Sequence, residues 1–322
     1  MTAEGSGERL AYVFGSVRLD SDVPLCGFDH CRVRVDDRQG PFSFRLRRAA
    51  ARPAAGRLVL RGRGRRLLEV RRRPDGAYTV SVEGLAACTV EADGRTLSWH
   101  LGAGRRGPDD ADFVVATVLP RALTRQRAHV LHAATVLGPH GALLLCGPSG
   151  VGKSTAAAAL QRLTGWPLLG DDAAVLGLTG GQATVASCTR DVRLWDDARD
   201  WLGLPPGARL PRHGAKARHP LPQHDRRPAP VATVVRLVAA DELALDQPSP
   251  SRRLADLRDQ LMRLDRSDPA GFAREFSFLV AWMRPLRVLR LQQPRGLAHV
   301  ARTADRLARL ATEATTCASA TT

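Results

Sequence analysis

Residues Ala142 to Leu160 read ALLLCGPSGVGKSTAAAAL. The apolar run Ala142 to Cys146 predicts a buried strand. It breaks into Gly147-Pro148-Ser149-Gly150-Val151-Gly152-Lys153-Ser154, which fits G-x-x-x-x-G-K-[ST] at every fixed position. The alanine-rich segment that follows has high helix propensity. Strand, glycine loop and helix in that order is the context the motif requires. Glycines let consecutive backbone N–H groups turn inward as an anion nest, and the helix N-terminus adds a partial positive charge. Lys153 would bring a point charge to the β- and γ-phosphates, and the Ser154 hydroxyl can ligate Mg²⁺. The stretch predicts a nucleoside-triphosphate site held by Gly147, Ser149, Gly150, Val151, Gly152, Lys153, Ser154 and Thr155.

Outward from the loop lie two further features. Downstream, Gly165-Trp-Pro-Leu-Leu-Gly-Asp-Asp172 is an apolar strand ending in two acids about 18 residues after Ser154. A carboxylate at that end of a strand faces the ligand crevice of an α/β sheet. Paired acids let Asp171 or Asp172 hold Mg²⁺ while the other accepts a hydroxyl proton. Upstream, His129-Val-Leu-His-Ala-Ala-Thr-Val-Leu137 reads as one strand, joined by a turn at Gly138-Pro-His140 to the loop strand. That places His132 on a strand beside the phosphates, where a buried structural histidine is the competing reading.

Leu131-His-Ala, the glycine loop and Leu169-Gly-Asp-Asp172 together resemble the catalytic domain of HPr kinase/phosphorylase. The wider set of HPr-kinase-like proteins, including those beside lasso peptide and other peptide natural-product genes, looks closer still. It shares an Arg193-Leu-Trp195 stretch, a basic segment like Lys216-Ala-Arg-His-Pro-Leu221, and an opening like Tyr12 to Leu25. The resemblance implies an α/β chain with a P-loop domain of the HPr kinase/PEP carboxykinase-like fold, using ATP and Mg²⁺. It implies that Lys153 and the loop amides hold phosphates and that Ser154 and Asp171 hold the metal. Asp172 would be the base that activates a serine or threonine hydroxyl, with His132 against the same site. Thr155 stands where HPr kinases usually carry Glu, and no glycine-rich signature with a metal-binding Glu follows the acids. Asp191 is the nearest substitute. Neither phosphorolysis nor HPr as acceptor is therefore carried over.

The expected activity is phosphorylation of a small protein or peptide, with a natural-product precursor peptide in view. A nucleotide-switched binding protein and a small-molecule kinase are the alternatives. A homo-oligomer stays open.

Length and charge frame this reading. The 322 residues allow a large core and two domains. A net charge of +16 favours phosphate or acidic partners, though the arginine-rich runs Arg61–Arg66 and Arg71–Arg73 lack interleaved aromatics and read as solvated faces rather than nucleic-acid sites. Cys26, Cys31, Cys88, Cys146, Cys188 and Cys317 form no C-x-x-C pair, so reduced core thiols are expected and a structural zinc is not. No signal peptide and no apolar run of about 18 residues is evident, which points to the cytoplasm and to no membrane partner.

Three segments are expected. Residues 1–112 alternate in strand fashion, with turns at Pro74-Asp-Gly76 and Ala92-Asp-Gly94, and form an antiparallel β-rich module without catalytic residues; His30 and His100 are isolated. Gly102 to Asp112 reads as linker. Residues 113–314 form the P-loop domain, beginning with a helical segment interrupted by Pro120. Within it, residues 205–230 read as a mobile basic loop whose Lys216, Arg218 and Arg226 could close over the site. Residues 315–322 read as a disordered tail.

Overall fold

Alternation of period two, strongest between residues 10 and 100, becomes a run of strands in the computed structural model. The structure describes residues 9–36, 41–49, 53–63, 67–83, 87–101, 107–210, 216–222 and 227–313. The expected tail, Cys317, Arg226 and part of the Arg61–Arg66 run lie outside them. The chain divides into two compact units: Met1–Arg127 with Leu210–His213 and Arg263–Ser267, and the remainder from Ala128 onward. The division falls at Arg127, so residues 113–127 go with the first unit.

In the first unit the described strands are β1 (Leu10–Phe14), β2 (Val17–Ser21), β3 (Arg32–Val33), β4 (Phe42–Ala49), β5 (Arg57–Arg63), β6 (Leu67–Arg72), β7 (Tyr78–Val82), β8 (Ala87–Val90) and β9 (Thr96–His100). They join one sheet in the order β3-β1-β2-β4-β9-β8-β7-β6-β5. The expectation of an antiparallel module needs correction: β2 pairs with β4, and β4 with β9, in parallel. Phe44 and Leu46 of β4 point into the core while Arg45 and Arg47 are exposed, as the pleat requires. His100 is not isolated, since its Nε2 lies 2.8 Å from Thr89 Oγ1. The 102–112 segment is not all linker either. Pro108–Asp112 is a helical turn, α1, whose three aspartates are buried. A π-helical stretch follows at Phe113–Val118, then α2 (Leu119–Ala122), so the helical run continues through Pro120.

The second unit carries the motif. Its strands are β10 (His129–Leu131), β11 (Ala133–Gly138), β12 (Gly141–Cys146), β13 (Leu168–Gly170), β14 (Ala174–Thr179), β15 (Gln182–Ser187), β16 (Asp191–Trp195), β17 (Ala208–Arg209), β18 (Lys216–Pro220), β19 (Ala229–Ala239), β20 (Ala244–Asp246) and β21 (Arg287–Gln293). Its helices are α3 (Lys153–Thr164), α4 (Asp196–Leu202), α5 (Pro250–Arg258), α6 (Pro269–Met283) and α7 (Val300–Thr312). The large sheet runs β10-β14-β15-β19-β12-β11-β13, with β21 added beside β19. Among the described residues of this unit, only β12, β19 and β21 pair in parallel.

β12 is apolar on both faces because helices cover both. Leu143 and Leu145 meet α3 and α7 through Leu160, Leu307 and Leu310. Ala142, Leu144 and Cys146 face Leu257 of α5 and Leu279 and Trp282 of α6. Two sequence readings change here. The single strand expected over 129–137 is split at His132, whose N–H is drawn to Gln260 O at 2.8 Å. The expected basic loop contains β18, which pairs with β16 so that Arg193 lies opposite Arg218 and Trp195 opposite Lys216. Arg218 is buried against Asp191 and cannot swing over a ligand.

Candidate active site

The loop at 147–154 leaves β12 on a backbone that glycine makes accessible. Gly147 sits at φ +138° with Leu237 of β19 pressed against it: a Cβ there would lie 2.5 Å from the Leu237 carbonyl oxygen. Gly150 and Gly152 also have positive φ. α3 then starts at Lys153 with no acidic residue in its first turn and no side-chain cap. Its first amides have no intrahelical acceptor, and the helix carries no acid of its own at its positive end. Lys153, buried, donates from Nζ to Gly147 O (2.9 Å) and Pro148 O (3.1 Å). Burial lowers its pKa, against the opposing pull of Asp172 and Asp171.

Asp171 and Asp172 follow β13 directly but are turned to different tasks. Asp171 is 1% exposed. Its carboxylate accepts from Ser154 Oγ at 3.0 Å and from the Arg193 backbone N–H at 3.2 Å. Its backbone is clasped by Thr189, whose hydroxyl donates to Asp171 O at 2.6 Å. Burial, and then the neighbouring charge of Asp172, push the Asp171 carboxyl up to about 6. Asp172 adopts φ +67°, a left-handed conformation uncommon outside glycine. Its side chain opens on a cleft that also takes in Lys153 and Ser154. Burial would raise its pKa, but Arg193, His132, Lys216 and Lys153 outweigh that and hold it well below the usual carboxylate range.

Arg193 makes the closest of these contacts, an ion pair from its guanidinium to Asp172 Oδ2. His132, at the break between β10 and β11, places Nδ1 2.9 Å from the carbonyl oxygen of Asp172 and 4.0 Å from its Oδ1. A carbonyl only accepts, so Nδ1 carries a proton. Lys216 Nζ lies over the Trp195 ring, 5.5 Å from its centroid. The cleft encloses about 290 Å³ and includes His132, Ser149 to Thr155, Asp172, Arg193 and Lys216. Gly147 supports the loop from behind. Asp191, the substitute metal ligand from sequence, is not in the cleft but buried against Arg218.

Gln293 is the residue that sequence reading missed. It ends β21, and its Nε2 donates to Val151 O at 2.6 Å, bracing the loop from a point distant in sequence. The parallel ladder β12-β19-β21 explains the meeting: the C-terminal ends of parallel strands converge where α/β sheets take ligands. The role of Arg193 had a partial signal, its place two residues before a tryptophan in the Arg-Leu-Trp stretch, but nothing in that spacing named Asp172 as its partner.

No protein-family model matches the chain, and no curated protein does. Among solved structures, the HPr(Ser) kinase/phosphatase from Coxiella burnetii matches 57% of this chain and 99% of its own length, at 15% identity and a TM-score of 0.27.

Proposed function

We propose that the protein is an ATP- and Mg²⁺-dependent kinase that phosphorylates a serine or threonine hydroxyl of a small protein or peptide. The observation that carries this reading is Asp172, a carboxylate opening on the same cleft as Lys153 and Ser154. The residues fit a bound triphosphate. Lys153 is tied to two loop carbonyls that an anionic ligand can outcompete, and the first turn of α3 offers amides and contains no acidic residue itself. They fit Mg²⁺ as well. Among the described residues no group of three His, Cys, Asp or Glu is preformed as a cage. Mg²⁺ is commonly held by one or two protein oxygens plus phosphates, here Ser154 Oγ with Asp171 behind it. When bound, the ion neutralises phosphate charge.

The side chains divide the remaining work. Lys153 holds phosphate oxygens, and Arg193 and Lys216 add positive charge where the transferred group gains negative charge. Asp172, kept ionised by Arg193, orients the acceptor hydroxyl and takes its proton as the new O–P bond forms. The bond from γ-phosphorus to the bridging oxygen breaks, and its electron pair leaves with the diphosphate. His132 fixes the backbone of Asp172 through Nδ1–H, which maintains the φ +67° turn that aims the carboxylate.

The test is phosphoryl transfer from γ-labelled ATP to co-encoded peptides. Asp172→Asn should lower transfer by about 10²–10⁴-fold while nucleotide affinity changes little. Label released only as inorganic phosphate, with Asp172→Asn retaining biological activity, would overturn the reading in favour of a nucleotide-switched binding protein. Label on a small metabolite would instead indicate a small-molecule kinase.

A further inference from the structure

The cleft has two chemically different ends. One gathers charge: Asp172, Arg193 and Lys216, with His132 beside them. The other is the segment after β21, where Pro294, Arg295, Gly296, Leu297, Val300 and Thr303 form a wall of the same cleft. That wall carries one cation and no carboxylate. It starts against the loop, at Gln293. Gln293 Nε2 bonds Val151 O at 2.6 Å, and a Cβ on Gly152 would lie 3.4 Å from the same nitrogen. Val151 and Val300 pack on one hydrophobic cluster beneath it.

A nucleoside triphosphate has the same polarity as this cleft, with a highly charged end and a flat, neutral one. We propose that the Pro294–Thr303 wall is the nucleoside subsite, taking the base between the exposed Arg295 and the half-buried Leu297. This rests on the triphosphate reading above and adds which residues hold the other half of the ligand. A guanidinium plane stacks on any base, and Leu297 and Val300 supply apolar contact without hydrogen-bond direction. The amide nitrogen of Gln293 is committed to Val151, and beyond it the wall's side chains include no carboxylate or amide to read a base edge. The subsite therefore binds the base without discriminating strongly between adenine and guanine.

Calorimetric titration of the full chain with ATP, GTP and inorganic tripolyphosphate, Mg²⁺ present throughout, tests this. Stacking of one base is typically a tenfold effect or more, so ATP and GTP should bind about tenfold tighter than tripolyphosphate and within about threefold of each other. Arg295→Ala, at an exposed position, should weaken both nucleotides several-fold. Arg295→Ala combined with Leu297→Ser should bring them to the level of tripolyphosphate, whose own affinity should move less than about twofold. Unchanged nucleotide binding in both variants overturns the proposal, as does equal loss of tripolyphosphate in the double variant with no effect of Arg295→Ala. A large preference for one purine overturns the non-discriminating subsite. Wild-type protein that binds tripolyphosphate as tightly as ATP removes the subsite and leaves the triphosphate reading standing. Binding of neither removes both.

Discussion

Gly147→Ala is the sharpest test of how the loop is built, because its cost can be worked out against a neighbouring glycine. At Gly147 the backbone sits at φ +138° and the added Cβ would lie 2.5 Å from the carbonyl oxygen of Leu237, with Val151 Cγ1 at 3.4 Å. Ordinary van der Waals contact begins near 3.4 Å, so the two atoms must separate by about 0.9 Å. Leu237 lies in β19, which is hydrogen-bonded to β12 on one side and β21 on the other, and has little room to retreat. Left-handed strain contributes about 1–3 kcal/mol and overpacking a further 1–3 kcal/mol, so about 4 kcal/mol in total is expected. Gly150 is the control. Its φ is +82°, but a Cβ there meets no atom within 4 Å. Gly150→Ala should cost the conformational part alone, about 1–2 kcal/mol.

Urea unfolding followed by tryptophan fluorescence reads the difference, since Trp166, Trp195, Trp201 and Trp282 all lie in this unit. With a urea slope of about 2 kcal/mol per M, Gly147→Ala should unfold about 1 M before Gly150→Ala. Midpoints agreeing to within about 0.2 M would refute the reasoning, since the Leu237 carbonyl would then be free to yield.

Two further outcomes follow from the carboxylate pair. Arg193→Gln removes the charge that most strongly holds Asp172 ionised, so the Asp172 pKa should climb toward the ordinary carboxylate range. A ¹³C-detected titration of the carboxyl carbon should show that climb, and transfer activity should gain an acid limb absent from wild type; an unmoved titration would separate Arg193 from Asp172. Asp171 bears on stability. Its folded pKa, about 6, stands above the usual 3.8 because of burial and then Asp172. The fold therefore favours the protonated carboxyl: this contribution is fully present below about pH 4 and is lost as pH rises through 6, amounting to at most about 3 kcal/mol. Asp171→Asn, which mimics the protonated form, should flatten the decline in unfolding free energy between pH 4 and 6. A variant with the same slope as wild type would contradict it.

Local features of the site were legible in sequence, and relations between distant strands were not. The glycine loop could be read because its whole pattern lies within eight consecutive residues. The acid pair could be located for the same reason, from one strand and one helix after the loop. The division between Asp171 and Asp172 could not, because two adjacent identical side chains carry no periodic signal. It arises from tertiary contacts: Thr189 and the Arg193 backbone clasp one residue, while Arg193 and His132 hold the other at φ +67°. The strand β18 was hidden by composition. Arginine, histidine and proline read as solvated loop, yet Arg218 is buried because Asp191 on the paired strand compensates its charge. The parallel pairing of β2, β4 and β9 was hidden likewise, since adjacent turns in sequence suggest hairpins and only the folded sheet shows which strands were skipped. The same limit explains Gln293. Its contact with Val151 exists only because β19 lies between β12 and β21, so the residue that braces the loop was placed by sheet order and by no motif. A conservative change there, Gln293→Leu, would therefore act on the loop while leaving every residue of the motif intact.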